Sequence, residues 1–156
     1  MDDITPDRLL ELGDLPLADE AALLERARTL IQQGYVRRLW LLAIDERGLL
    51  VPQLTQLDDP PITPDAPAVG ALRRIIGFFA DAGTSLAVVL ERPGSPWPSP
   101  DDWAWHDVIH RAAADRPEAL RGVLLAHGCG VDLLEPDADD DADGQTGARR
   151  PRPDAA

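Results

Sequence analysis

The chain has 156 residues, a formal net charge of -13 and one cysteine, which fits a single domain able to bury a core without disulfides or a structural metal. The charge divides as -4 over Met1–Leu17, -4 over Leu134–Ala156 and -5 between them, with no clustered basic stripe, so nucleic acid is not an expected partner. Cys129 cannot form an internal disulfide, and the Met-Asp-Asp start lacks the basic flank and apolar run of a secretory leader, so a soluble cytoplasmic protein without membrane contact is expected.

Thr5-Pro6-Asp7 has the cap and first-turn proline of a short helix reaching about Glu11, and Met1–Leu17 is assigned to a flexible segment or such a helix. From Ala18 to Gln33 the residues Leu23, Leu24, Ala27, Leu30 and Ile31 recur at helical spacing, and Gly34 follows as a stop. Arg38–Asp45 and Leu49–Leu57 have strand composition, and Asp45-Glu46-Arg47-Gly48 between them has the chemistry of a tight turn, which predicts a hairpin. Pro52 has no N–H to give to a ladder, so the second strand belongs at an edge or carries a bulge. Asp58–Pro67 reads as a loop.

Helical periodicity returns over Ala68–Ala82, with Val69, Leu72, Ile75, Ile76 and Phe79 on one face and Gly83 closing the segment. Ser85–Leu90 is continuously apolar, as a central strand buried on both faces would be. Ser99, Pro100, Asp101 and Asp102 form a helix start, with a hydroxyl cap, proline in the first turn and carboxylates at the positive end of the dipole. That helix is expected to reach about Ala114. Val123–Ala126 and Val131–Leu134 are short strands around Gly128 and Gly130. Residues 135–156 are acidic, then basic, and free of aromatics, a composition that predicts a disordered tail. The expected fold is α/β: one domain over residues 18–134, with a mixed β-sheet that includes the hairpin and is flanked by three helices.

The junction from Ser85 to Trp105 reads SLAVVLERPGSPWPSPDDWAW. Pro93 after the central strand, with Ser99-x-x-Asp102 at the next helix start, resembles the motif of the JAB/MPN (JAMM) metalloproteases, especially their RadC-like branch. In that motif His-x-His-Pro and Ser-x-x-Asp surround a zinc ion, with an upstream Glu on an early strand. The resemblance covers roughly Arg37–Leu134 and implies a layered, cytidine-deaminase-like architecture. It places the two zinc-binding imidazoles on Leu90 and Arg92 and the upstream Glu near Arg37, with the loop one residue shorter than usual. A catalytic zinc needs three protein ligands and an open position, and Asp102 alone cannot supply them. The resemblance therefore implies a member without metal, cofactor or hydrolase activity. Arg92, with Arg37 beside it, would put fixed positive charge where the cation sat, paired to Asp102. The alternative has Arg92 in solvent and Asp102 serving only as a cap.

Other side chains offer competing chemistry. His106 and His110 stand four apart on a helix and, with Asp102, offer a set of metal ligands for a hydrolase. Against this, Asp107 is a short substitute for a glutamate base, and an exposed polar helix face accounts for the same pattern. His127 and Cys129 in the HGCG turn suggest a metal or thiol site, but a lone cysteine in a glycine-rich turn is more often inert. Trp97, Trp103 and Trp105 gather three of the four tryptophans within nine residues, where they mark a recognition surface or cover the core. Trp105 is expected in the core and Trp97 in solvent. The expected function is a non-catalytic module that binds a protein or peptide through Arg92, Trp97, Ser99, Asp102 and Trp103. The alternatives are the hydrolase and a homodimer built on the strand edge near Pro52 and the tryptophans.

Overall fold

A computed structural model describes residues 16–136. The helix expected over residues 5–11 and the tail beyond residue 136 lie outside the described residues. The elements run α1 (Glu20–Ile31), β1 (Arg38–Ile44), β2 (Leu50–Asp58), α2 (Ala66–Asp81), β3 (Ser85–Glu91), α3 (Pro100–Ala112), β4 (Leu120–His127) and β5 (Gly130–Leu133). The strands form one mixed sheet in the order β2-β1-β3-β4-β5. β1 is antiparallel to β2 and to β3, β3 and β4 are parallel, and β5 returns antiparallel to β4. The most apolar strand, β3, holds the centre, while β2 with its proline pairs, among the described strands, with β1 alone, an edge position where a missing N–H costs least.

Strand alternation sorts the core into two layers. Leu39, Leu41, Leu86, Val88, Leu90, Val123 and Leu125 pack on one face with Leu72 and Ile76 of α2 and Trp105 and Ile109 of α3. Leu42, Ile44, Ala87, Val89, Leu124 and Ala126 pack on the other with Leu23, Ala27 and Leu30 of α1. Each fully buried Leu or Ile contributes about 1.5–3 kcal/mol of transfer free energy. Two helices therefore cover one face and one covers the other.

Local chemistry sets the ends of the helices. Asp19 caps α1 by accepting the Ala22 N–H (2.8 Å), and Asp65 caps α2 through Ala68 (3.1 Å). α2 begins two residues earlier than expected, because Pro67 is tolerated in a first turn whose N–H groups have no helical partners. β4 begins at Leu120 instead of Val123, since Leu120 and Gly122 pair with Leu86 and Ala87 of β3. The core also reaches back to Leu17, read from sequence as the end of a flexible segment. It is buried, and its N–H bonds the Gly48 carbonyl (2.7 Å).

Gly70 and Gly77 lie inside α2, and a Cβ at either would meet no atom within 4 Å. Replacing either with Ala is expected to raise the unfolding free energy by about 0.5–1 kcal/mol, measured by urea denaturation.

Candidate functional site

In open α/β sheets the carboxyl ends of parallel strands face the loops that carry function. Here that end belongs to β3 and β4, and two consecutive residues, Glu91 at the end of β3 and Arg92 just after it, turn charged side chains to opposite faces. Both are buried. On the α1 face, Glu91 accepts the N–H groups of Tyr35 (2.8 Å) and Val36 (3.2 Å) and the indole N–H of Trp40 (2.8 Å), with Arg38 Nε at 3.4 Å.

On the α3 face, Arg92 is 7 % and Asp102 1 % exposed. Arg92 Nε donates to both carboxylate oxygens (3.0 and 2.9 Å) and Nη2 to Oδ2 (2.7 Å). The remaining N–H groups reach carbonyls of the loop that follows: Nη1 to Pro93 (3.1 Å) and Ser95 (2.8 Å), and Nη2 to Trp97 (3.1 Å). All five donors of the guanidinium are thereby used, the full capacity of the group. The proline loop is folded around one side chain. Asp102 also closes a capping box with Ser99: its Oδ2 accepts the Ser99 N–H (2.8 Å), and its own N–H donates to the Ser99 hydroxyl (3.1 Å).

Burial alone would raise the Asp102 carboxyl, but the hydrogen bonds from Arg92 and Ser99, with the Arg92 charge, outweigh it and hold it below its ordinary 3.8. A depressed carboxylate stabilises the fold above its unfolded value and loses that contribution as pH falls through the folded one. The urea midpoint is therefore expected to drop on acidification below about pH 4, and Asp102→Asn to flatten that part of the profile.

A second polar cluster adjoins the first. His127 is buried; its Nδ1 accepts the Cys129 N–H (3.1 Å), which leaves Nε2–H to donate to Asp132 Oδ2 (2.7 Å). The other oxygen of Asp132 takes Arg28 Nη2 at 3.1 Å. The His127 hydrogen bond first, and Arg28 after it, hold the Asp132 carboxyl below its usual range against a smaller opposing effect of burial. Gly128 N–H bonds the Gly94 carbonyl (2.9 Å), tying the β4–β5 turn to the proline loop. His127 thus holds a turn in place, and Cys129 is exposed beside it.

Of the residues expected at the site, the structure brings Arg92, Ser99 and Asp102 into one network, and the solvent-exposed alternative for Arg92 does not hold. Arg37 takes no part in the pair: its Nη1 is buried without a hydrogen-bond partner among the described residues. Trp105 is core, with its indole N–H shared by the carbonyls of Pro61 and Ile62 (3.1 Å each). Trp103 is half-buried, with its ring centroid 5.5 Å from that of His106. Trp97 is 78 % exposed. Its backbone is fixed by Arg92 and by the Ser95 hydroxyl, which accepts the Trp97 N–H at 3.1 Å.

Asp102, His106 and His110 do follow one another along α3, but Asp102 turns inward to the guanidinium. The two histidine rings lie 4.4 Å apart, and burial first, then the neighbouring His106, lowers the His110 imidazole. Among the described residues no three His, Cys, Asp or Glu side chains are grouped so that they could hold a metal ion. The donor set at the junction does not fit the zinc implied by the sequence resemblance: Leu90 offers no ligand, and both Asp102 oxygens already face a fixed cation. Glu91 and the His127–Asp132 pair escaped the sequence reading. Continuing the two-residue alternation of β3 past Leu90 would have turned Glu91 inward, but nothing local marks His127 and Asp132 as partners.

Between the proline loop and β5 lies a groove of about 590 Å³. Pro96, Trp97 and Pro98 line it on the loop side, and Asp132, Leu133 and Glu135 on the strand side, with Trp103 and buried Leu125 between them. Among the described residues no helix is long and apolar enough to cross a membrane. No protein-family model, curated protein or solved structure matches this chain.

Proposed function

We propose that the protein is a non-catalytic, JAB/MPN-like module that binds a protein or peptide partner at the carboxyl end of β3. The observation that carries this reading is the Arg92 guanidinium, whose five N–H groups are spent on Asp102 and on the carbonyls of its own loop. A side chain saturated in this way cannot act as an acid, a base or an oxyanion donor, yet it stiffens the loop that presents Trp97 to solvent. Rigid, exposed tryptophans bind at low entropic cost, because little side-chain freedom remains to be lost. The three-layer arrangement, with a hairpin and a parallel pair in one mixed sheet, supports the layered architecture that the resemblance implies.

Affinity capture with the full chain as bait tests the reading. Wild type is expected to retain partners that Trp97→Ala loses, while the unfolding free energies of the two proteins agree within about 0.5 kcal/mol, as for surface substitutions generally. An identical captured set for both baits would contradict it.

A further inference from the structure

The groove beside Trp97 runs along the outer edge of β5, which has β4 as its only neighbour among the described strands. Leu134 N–H bonds the Val123 carbonyl at 2.9 Å, so the antiparallel ladder turns the backbone groups of alternate residues, Val131 and Leu133, away from β4. The Val131 carbonyl accepts Arg28 Nε at 2.9 Å, as that orientation requires. Leu133, next along the edge and lining the groove, keeps an outward N–H and C=O that no described residue meets. Unpaired strand edges are templates for an added strand.

Arg28 and His127 already meet Asp132 at the start of this edge, so the carboxyl left for an outside cation is Glu135, farther along. Asp132 and Glu135 both line the groove. Glu135 is pushed up to about 7 by its hydrogen bond to the Glu20 carboxyl, by burial and by the Glu20 charge, in that order. No described arginine forms an ion pair with Glu135, which lines the groove, so a cation from outside would meet a carboxyl that lacks a counter-charge. Opposite these carboxyls are apolar rings: Trp97, Pro96 and Pro98.

Resting on the binding function proposed above, we infer that the groove takes an extended, basic segment of a partner polypeptide. Its backbone pairs with Leu133 as an added strand, a Lys or Arg side chain reaches Glu135 and Glu20, and an apolar side chain lies against Trp97. Backbone pairing supplies affinity without regard to sequence, while the carboxyls and the tryptophan select what binds.

The test uses the full chain and two fluorescein-labelled nonapeptides, one alternating lysine with leucine and the other glutamate with leucine, at physiological ionic strength so that long-range attraction is screened. The lysine probe is expected to bind at least tenfold more tightly. Glu135→Gln should cut that preference several-fold, and Leu133→Pro and Trp97→Ala should weaken both probes. Asp107→Asn, an acidic change elsewhere on the surface, should leave binding unaltered. Equal affinity for the two probes, or a preference that survives Glu135→Gln and Leu133→Pro, overturns the inference while the binding function stands. If neither probe binds and Trp97→Ala also leaves every captured partner in place, both fall. A doubled mass in light scattering that Leu133→Pro abolishes would assign the edge to a second copy instead. A tenfold tightening of the lysine probe in the combined Arg149→Gln, Arg150→Gln and Arg152→Gln variant would assign it to the chain's own basic stretch. Either result overturns the partner named here.

Discussion

Arg92→Ala is expected to lower the unfolding free energy by about 3–5 kcal/mol, the range for removing one partner of a buried ion pair. Two costs add. Asp102 is left buried without its counter-charge, and the carbonyls of Pro93, Ser95 and Trp97 lose the donors around which the loop is folded. Truncating both partners in Arg92→Ala with Asp102→Ala should cost less than the two single changes together, because the second change removes the stranded charge created by the first. Arg92→Lys keeps the charge but lacks the planar fork that meets Asp102 and three carbonyls at once, so it should recover only part of the loss. Urea denaturation of wild type and these four variants, Asp102→Ala included, reads each of these values. Additive single effects would mean that the pair is not coupled.

The second large effect is expected at Gly34. The segment after α1 crosses the ends of β3 and β4, and Gly34 N–H bonds the His127 carbonyl at 2.7 Å. A Cβ at Gly34 would lie well inside van der Waals distance of the carbonyl oxygens of Arg92 and Ala126. These are backbone atoms of β4 and of the residue that follows β3, bonded to one another through Arg92 N–H and the Ala126 carbonyl at 2.9 Å, so neither can move aside alone. Overpacking typically costs about 1–3 kcal/mol. With rigid atoms on both sides, Gly34→Ala should reach the upper end of that range, about 3 kcal/mol. It should also weaken partner capture, since displacing Arg92 displaces the loop that presents Trp97. A Gly34→Ala protein as stable as wild type would show that the segment does not lie against the strand ends.

The same two positions show how much could be read from the chain in advance. Helical periodicity around Leu23, Ala27 and Leu30, the apolar run of β3, and the Ser99-Pro100-Asp101-Asp102 start of α3 are local patterns. Each element formed where its pattern stood. Pro52 announced an edge strand through the hydrogen bond it cannot make. Gly34 was read only as a helix stop, because its closeness to residues 92 and 126 is set by how three separate elements meet. The Arg92–Asp102 pair was legible only as a possibility implied by the family resemblance, which sets Arg92 where a metal-binding imidazole would stand opposite Asp102. That all five guanidinium donors would be engaged was not legible, since three of the acceptors are backbone carbonyls whose directions depend on the loop's path. Glu91 was lost by ending β3 one residue early. The groove along β5 joins residues 96–98 to residues 132–136, and no pattern within either stretch refers to the other.

An arginine closes the β3–α3 junction at the point where the family resemblance would put a metal. Metal content of the full chain, purified without chelator, incubated with one equivalent of zinc, dialysed and read by mass spectrometry, tests this closure most directly. A guanidinium bound to Asp102 repels a divalent ion and occupies its only carboxylate at that point, so the expected result is zinc well below one atom per chain, unchanged in Asp102→Asn. One zinc retained per chain, and lost in Asp102→Asn, would contradict the claim.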